Sequence, residues 1–278
     1  MVKARKRFGQ HFLEPAWVAK LVGALGIAPG EAFVEIGPGR GAITRPMAAR
    51  GARLLAIEVD RDLASALAAE GLPAVTVLEA DVLRVDLAAA IATWQGQPLD
   101  PSHRVRIVGN LPYNISSPIL FRLLALAAAT GGVTDATLML QREVADRLLA
   151  RPGTGDYGVL AIQTALHADV TRLLALPPGA FRPPPKVSSA VVRLAFRPPA
   201  VALADEALFV QMVRTMFTQR RKTVGNALRV FGDQRGLLAT AALATAGLDA
   251  RRRPETLQLV ELARLADVFA AAGGPAVL

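Results

Sequence analysis

The chain has 278 residues, of which 52% are hydrophobic, so it has enough apolar side chains to bury one large core or two modest ones. It contains no cysteine, which excludes disulfide frameworks, thiolate metal centres, iron–sulfur clusters and cysteine nucleophiles. The 32 Lys and Arg residues outnumber the 23 Asp and Glu residues, and the net charge of +9 favours a polyanionic partner.

The N-terminal segment is basic but lacks the features of a secretion signal. Lys3–Arg7 is followed by Glu14 and Lys20, which interrupt any apolar stretch. The longest uncharged run in the chain, Ile107–Phe121, contains two prolines and is too short to span a bilayer. We therefore expect a cytoplasmic protein with no membrane partner.

The first two thirds of the chain alternates short apolar runs with helical patterns. The predicted strands are Ala32–Ile36, Arg53–Ile57, Val75–Glu79, Arg104–Val108 and Ala136–Leu140. The helical patterns between them include Ala42–Arg50, Asp62–Ala69 and Pro118–Ala129. This alternation predicts an α/β fold with parallel βαβ units in a doubly wound sheet, which binds ligands at the carboxyl ends of its strands.

The pattern changes towards the C-terminus. Val170–Leu176 and Ser189–Phe196 are separated by prolines, which favours an antiparallel pair. After Pro199 the chain is helical in pattern, and its apolar residues recur at helical spacing. We expect one domain over residues 1–198 and a small helical domain over residues 199–278. The predicted helices include Thr223–Phe231, Gly236–Ala246 and Pro254–Ala271.

Three glycines follow the first predicted strand, at positions 37, 39 and 41. Glycine permits positive φ angles and the close approach of a ligand, which makes Gly37 and Gly39 candidate cofactor-binding residues. The spacing also fits the G-x-G-x-x-G/A motif of dinucleotide-binding proteins, and it is compatible with a tight turn that binds nothing. The loop by itself leaves these interpretations open.

Acidic residues follow the second and third predicted strands. Glu58 is placed to accept hydrogen bonds from ribose hydroxyls, although a surface carboxylate paired with Arg61 is an alternative. Asp81 is placed where a carboxylate can accept from the amino group of adenine. Two acids favour a nucleoside cofactor without phosphates, because they would repel a pyrophosphate.

Asn110-Leu111-Pro112-Tyr113 follows the fourth predicted strand. The Asn110 amide oxygen and the Leu111 carbonyl can both accept from a planar amino group, and Tyr113 can stack on the ring that bears it. A turn that merely places a tyrosine in the core is the structural alternative. We favour a site for an amino-substituted base.

Basic residues are concentrated in three places: the N-terminal arm, the proline-rich segment before the last predicted strand, and the helical region. Each group alone fits a solvated surface, but together they favour phosphate contacts whose strength depends on salt. The candidate RNA-binding residues are Arg5, Lys6, Arg7, Arg182, Lys186, Arg220, Arg221 and Lys222.

The tetrad at positions 110–113 resembles the N/D/S-P/L-P-Y motif of S-adenosylmethionine-dependent methyltransferases that modify amino or amide nitrogens. With the other segments below, the chain is similar over about residues 3–226 to the family of ribosomal RNA adenine N6-dimethyltransferases that act on the bacterial small subunit. The segments that carry this resemblance are Arg5–Leu13, Glu35–Thr44, Glu58, Asp81, Pro177–Val187 and Gln219–Thr223.

The resemblance implies a fold and further site residues. The implied fold is a Rossmann-like class I methyltransferase domain, whose mostly parallel seven-stranded sheet has an antiparallel last strand. Residues 1–198 would form this catalytic domain, and residues 199–278 a small all-α domain that recognises RNA. S-adenosylmethionine is the implied cofactor, with His11, Leu13, Val82 and Asn110 among its contacts. His11 stands where many members have Asn, and Gly225 stands where a basic residue is common.

The resemblance also implies a catalytic set and a substrate. Leu111, Pro112 and Phe181 join Asn110 and Tyr113, with the two aromatic rings enclosing the target base. The implied reaction dimethylates N6 of two adjacent adenosines in a hairpin loop near the 3′ end of 16S rRNA, in the small subunit or its precursor. Such direct transfer needs neither thiolate nor metal, and we expect a monomer.

Three alternatives differ in class. A DNA adenine or 23S rRNA methyltransferase would share the pocket and differ in the recognition domain. A dinucleotide oxidoreductase would explain the glycine loop but not the turn from Asn110 to Tyr113. A ribosome-assembly factor would bind RNA as its main role and methylate it as a secondary one.

Overall fold

The computed structural model describes residues 12–272, and the chain divides into two compact units. The first unit comprises the residues up to Ala145 together with Ala168–Pro198, and the second comprises Asp146–His167 together with the residues from Pro199 onward. This division differs in one respect from the expected catalytic segment 1–198, because Asp146–His167 belongs to the helical unit.

Within residues 12–272, the strands all lie in the first unit. Most of them begin and end within two residues of the predicted positions, because buried strands carry nearly continuous apolar runs. The strands are β1 (Phe12–Leu13), β2 (Ala32–Ile36), β3 (Arg53–Glu58), β4 (Val75–Glu79), β5 (Val105–Asn110), β6 (Val133–Gln141), β7 (Ala168–Leu176), β8 (Phe181–Arg182) and β9 (Ser189–Phe196).

Seven of these strands form one sheet in the order β4-β3-β2-β5-β6-β9-β7. The pairs from β4 through β6 are parallel, whereas β9 is antiparallel to both β6 and β7. The expected mostly parallel sheet with an antiparallel last strand is therefore confirmed. The short strands β1 and β8 pair with each other as a separate antiparallel ribbon.

Strand order reverses between β2 and β5, and a crevice for a ligand opens at such a point in a doubly wound sheet. Ile36 at the end of β2 is in register with Gly109 in β5. A Cβ atom at Gly109 would lie 2.8 Å from the Ile36 carbonyl oxygen, so only glycine permits this close approach. The residues that follow both strands are thereby brought together.

Helices pack against this sheet. Three side chains of α5, namely Ile119, Leu120 and Leu123, are fully buried, so this helix is anchored firmly behind the crevice. The helices of this part of the chain are α1 (Pro15–Leu25), α2 (Thr44–Ala48), α3 (Arg61–Ala68), α4 (Leu87–Gln95), α5 (Ser116–Thr130) and α6 (Arg142–Leu148), the last of which extends past Ala145.

The second unit is helical, as expected. Its core includes Ile162 and Leu166 together with Phe209, Met212 and Phe269, all of which are 1% exposed or less. Within residues 12–272, no helix has the length and apolar character needed to cross a membrane. The helices of this unit are α7 (Val159–His167), α8 (Glu206–Thr218), α9 (Val224–Ala227), α10 (Arg229–Asp233), α11 (Ala239–Thr245) and α12 (Leu259–Ala271).

Candidate active site

A cavity lies at the carboxyl ends of β2, β3, β4 and β5, where the switch in strand order predicts a ligand site. It brings together most of the predicted cofactor-binding and catalytic residues of the first unit. Those that line it are Leu13, Gly37, Gly39, Glu58, Asp81, Val82, Asn110, Leu111, Pro112 and Tyr113.

The glycine loop takes backbone conformations that favour glycine. Gly37 and Gly39 have φ angles of +68° and +56°. The Gly37 N–H donates to the Ile57 carbonyl at 2.9 Å, and the Gly39 N–H donates to Glu58 Oε2 at 2.9 Å. Because a carboxylate already accepts from the Gly39 N–H, the loop is poorly suited to a pyrophosphate, which disfavours the dinucleotide alternative.

Glu58 is buried at 6% exposure, so the surface carboxylate paired with Arg61 is not what the structure contains. Its Oε1 atom accepts from the Asp60 N–H at 2.9 Å, while Oε2 accepts from Gly39. Each carboxylate oxygen can accept more than one hydrogen bond, so both retain capacity for ribose hydroxyls. Glu58 thus supports the glycine loop and faces the cavity.

Glu35, in β2, was not predicted as a site residue. It is 1% exposed, and the Thr44 hydroxyl donates to its Oε2 atom at 2.7 Å. Burial raises the pKa of Glu35 to about 7; the Thr44 hydrogen bond opposes this shift and the charge of Glu58 adds to it. A charged residue inside an otherwise apolar strand is the sequence signal that identifies it.

Replacing Glu35 with glutamine is expected to change how stability depends on pH. Between about pH 4.5 and pH 7 the unfolded chain loses the Glu35 proton while the folded chain keeps it, so the wild-type free energy of unfolding falls as pH rises. Relative to Glu35→Gln, the wild type should lose about 2 kcal/mol between pH 5 and pH 8. Urea unfolding at the two pH values measures this difference.

The exposed Glu79 at the end of the edge strand β4, which pairs with β3, provides the control for that experiment. Glu79→Gln should show the same pH dependence as the wild type, because the Glu79 side chain is exposed to solvent. If the free energy of unfolding changed equally between the two pH values in Glu35→Gln and in the wild type, the assignment of Glu35 as a buried, protonated carboxyl would be wrong.

Asp81 and Val82 follow β4 and begin a single helical turn. Asp81 Oδ1 accepts from the Leu83 N–H at 2.9 Å, and its Oδ2 atom lies 3.6 Å from Arg84 Nε. Val82 is 8% exposed and lines the cavity. A carboxylate oxygen and a backbone N–H on neighbouring residues can recognise the donor and acceptor on the edge of an adenine.

The turn after β5 is held from both sides. The Leu111 N–H donates to the Met139 carbonyl at 3.2 Å, and Ser116 Oγ donates to the Tyr113 carbonyl at 3.3 Å. The Tyr113 hydroxyl lies 2.7 Å from Ser189 Oγ, and burial raises the pKa of Tyr113, so its phenol stays neutral at physiological pH. Tyr113 is half-buried and lines the cavity, so it is not simply a core residue.

Phe181 is not brought to the cavity with Tyr113, which corrects the expectation that the two rings enclose the target base. It pairs with Leu13 across the β1–β8 ribbon and is 2% exposed. Its ring packs in the core beneath the ribbon, so this conformation offers no face for stacking.

His11 and Arg5, Lys6 and Arg7 lie outside the described residues.

The predicted RNA-binding residues fall into two groups. Arg182 and Lys186 are exposed in the first unit, and Arg182 Nε donates to Glu14 Oε1 at 2.5 Å. Arg221 and Lys222 are exposed in the second unit.

Arg220, by contrast, contacts its own unit. It donates to the Thr154 carbonyl at 3.2 Å and lies 3.9 Å from Glu255 Oε2. Arg220 therefore contributes to the stability of the helical unit.

Comparison with known proteins identifies the family of the chain. The family model described as ribosomal RNA adenine dimethylase matches residues 1–265. The chain is 46% identical over 266 residues to a protein named ribosomal RNA small subunit methyltransferase A from Methylibium petroleiphilum, covering 95% of each chain. A protein of the same name from Acinetobacter baylyi is 43% identical, covering 95% of this chain and 92% of the relative.

Solved structures share the fold. A dimethyladenosine transferase from Plasmodium falciparum superposes with a TM-score of 0.73 at 22% identity, covering 92% of this chain and 96% of that one. The 23S rRNA methyltransferase ErmE superposes with a TM-score of 0.64 at 26% identity, covering 93% and 99%. The family match spans nearly all of the chain and includes every residue of the cavity, so the chain belongs to the ribosomal RNA adenine dimethylase family of methyltransferases.

Proposed function

We propose that this enzyme transfers methyl groups from S-adenosylmethionine to N6 of two adjacent adenosines in a hairpin loop near the 3′ end of 16S rRNA. The product is N6-dimethyladenosine in the small ribosomal subunit or its precursor, and the reaction contributes to subunit biogenesis. We propose further that the enzyme acts in the cytoplasm as a monomer. The observation that carries the proposal is the turn from Asn110 to Tyr113 beside an acid-lined cavity.

The cavity residues fit the proposed cofactor. Glu58 would accept from the ribose hydroxyls, and Asp81 with the Val82 N–H would recognise adenine. The two carboxylates also suit a ligand that carries a cationic sulfur and an ammonium group, because opposite charges attract across a partly desolvated cavity. When bound, S-adenosylmethionine supplies an electrophilic methyl group.

Asn110 and Leu111 would prepare the nucleophile. An adenine amine is a poor nucleophile because its lone pair is delocalised into the ring. In the first transfer, donation from its two N–H groups to the Asn110 amide oxygen and the Leu111 carbonyl would concentrate that lone pair on nitrogen and direct it along the line of displacement. In the second transfer, the one remaining N–H would donate to one of these acceptors. The new C–N bond would form as the methyl–sulfur bond breaks, with S-adenosylhomocysteine as the leaving group. The amine proton becomes acidic only as the C–N bond forms, so it can pass to solvent and no strong base is needed before attack.

Tyr113 would hold the target base. A base must leave its stack to reach the turn, and an aromatic ring compensates by stacking worth about 1–3 kcal/mol. The hydrogen bond between the Tyr113 hydroxyl and Ser189 Oγ restrains the ring at the cavity wall. Phe181 would have to leave its buried position to contribute a second face, so we assign the stacking to Tyr113 alone.

Methyl transfer to defined substrates tests the proposal. Tritiated S-adenosylmethionine should label small subunits that lack the modification, with two methyl groups on each of two adenosines. Naked 16S rRNA, DNA and large subunits are the competing substrates. Preferential labelling of large subunits would favour a 23S rRNA methyltransferase, as ErmE is named, and labelling of DNA would favour a DNA enzyme.

The basic run of the helical unit is expected to separate into two roles. Arg221→Ala and Lys222→Ala should each weaken RNA binding and reduce the slope of log affinity against log salt by about one, because each removes one exposed phosphate contact. Arg220→Ala should instead lower the melting temperature, since it removes the contacts to Thr154 and Glu255.

Filter binding to small subunits over a range of salt concentrations, together with thermal melting, checks this separation. The exposed Arg251, which pairs with Asp249, provides a matched control whose substitution should leave the salt slope unchanged. A salt slope that stayed at the wild-type value in Arg221→Ala would remove that residue from the interface.

A further inference from the structure

Arg122 lies on α5, the helix that begins just after the turn containing Asn110 and Tyr113. Ile119, which precedes it by one helical turn, lines the cavity. The half-buried Arg122 guanidinium donates to the backbone carbonyl of Leu83 and, at 2.6 Å, to that of Val85. The side chain thus connects α5, which follows the catalytic turn (Asn110–Tyr113), to the loop after β4.

The loop that it holds is one helical turn, Asp81–Val85. The N–H groups of Arg84 and Val85 each donate to the Asp81 carbonyl at 2.9 Å, and Asp81 Oδ1 accepts from the Leu83 N–H. The carbonyls at the C-terminal end of such a turn have no partner within it, and a cation is favourable there. The Arg122 guanidinium supplies both the hydrogen-bond donors for these carbonyls and the positive charge.

The chemistry of the contact points to positioning. Over residues 12–272, no ion pair includes Arg122, so its guanidinium is directed to carbonyl groups. A planar guanidinium presents several donors in a fixed geometry, so it can restrain two carbonyls at once. The Asp81 carboxylate and the Val82 N–H lie at the other end of the same short turn, so their orientation depends on this restraint.

We propose that Arg122 is a positioning residue for the adenine-recognising end of the cofactor site, and that it couples the Asp81–Val85 turn to the helix that follows the catalytic turn. The inference rests on the proposed role of Asp81 and Val82 in binding adenine. Arg122 would thereby contribute to specificity for the base of the cofactor without contacting the cofactor itself.

The selectivity of the cofactor site for adenine over hypoxanthine measures directly how Asp81 and Val82 are positioned. Adenine presents an amino donor at N6 and an acceptor at N1, which match the Asp81 carboxylate and the Val82 N–H. Hypoxanthine presents an acceptor at O6 and a donor at N1, so the same two protein groups are mismatched. The ratio of affinities for S-adenosylhomocysteine and S-inosylhomocysteine therefore reports how firmly Asp81 and Val82 are held.

Calorimetry of the full chain with these two ligands tests the proposal. Arg122→Met is expected to lower the preference for the adenosyl ligand by about tenfold, and Arg122→Lys to restore part of it. Arg104→Met is the matched control, because the exposed Arg104 donates to the Pro101 carbonyl just before β5, at the end of the strand away from the cavity. Its preference should equal that of the wild type.

Equal loss of affinity for both ligands, with the ratio unchanged in Arg122→Met, would overturn the inference, because a purely structural role predicts that result. Asp81→Ala separates this failure from failure of the proposed function. An unchanged ratio in Asp81→Ala would show that the adenine site itself is misassigned. If Arg122→Met does not fold, an unchanged ratio in Arg122→Lys with an unchanged melting temperature overturns the inference instead.

Discussion

Replacing Asn110 with alanine is expected to lower the single-turnover rate of methyl transfer by about two to three orders of magnitude. The dissociation constant of S-adenosylmethionine should rise much less. The amide oxygen of Asn110 is the side-chain acceptor at the end of β5, and its proposed role is to polarise the amine as charge develops on nitrogen. Rapid-quench kinetics at saturating cofactor, with calorimetry of cofactor binding, separates the two effects.

Two variants sharpen this prediction. Asn110→Asp keeps an acceptor oxygen at the same place, so it should retain more activity than Asn110→Ala. Asn114→Ala removes the same functional group from an exposed residue that also lines the cavity, and it should retain near-wild-type turnover. If Asn110→Ala lost cofactor affinity and kept its rate of methyl transfer, the assigned role would be wrong.

The same variant distinguishes an enzyme from an assembly factor. If Asn110→Ala still binds small-subunit precursors and supports normal assembly in cells, binding carries the biological role and methylation is secondary. If assembly fails together with methylation, the modification itself is required. The substitution is suited to this use because it removes a cavity side chain and leaves the exposed basic residues unchanged.

Apolar patterning predicted the strands closely but did not predict which unit each helix joins. The pattern of α7 indicates a buried face, and the structure shows that Ile162 and Leu166 pack with Phe209 and Met212 of the second unit. Periodicity identifies a face that must be covered and contains no information about the distant segment that covers it. For this reason the expected segment 1–198 included Asp146–His167, which the structure places in the helical unit.

Site residues were predictable where a strand end determined their position. Glu58, Asp81 and Asn110 each end or follow a parallel strand, and such ends meet at one edge of a sheet. Phe181 was not predictable in this way. Its burial comes from the pairing of β8 with β1, two segments far apart in the chain, and a proline-rich sequence around an aromatic residue does not reveal that pairing.

Replacing Glu58 with alanine is expected to weaken S-adenosylmethionine binding by about two orders of magnitude. The change removes the proposed acceptor for the ribose hydroxyls. It also removes the acceptor for the Gly39 and Asp60 N–H groups, both at 2.9 Å, so the glycine loop loses its support as well. Calorimetry with S-adenosylmethionine measures the dissociation constant, and kinetics at saturating cofactor measures what remains of turnover.

Glu58→Gln separates the two contributions. The amide keeps one acceptor oxygen and places an NH2 group against either the Gly39 or the Asp60 N–H, so the loop is perturbed while one ribose acceptor survives. Its loss of affinity should fall between those of the wild type and Glu58→Ala. Glu79→Gln is the matched control, because Glu79 pairs in register with Glu58 on the neighbouring strand but does not line the cavity. Were Glu58→Ala to bind cofactor normally and fail only in turnover, the assignments of Glu58 and Asn110 would have to be exchanged.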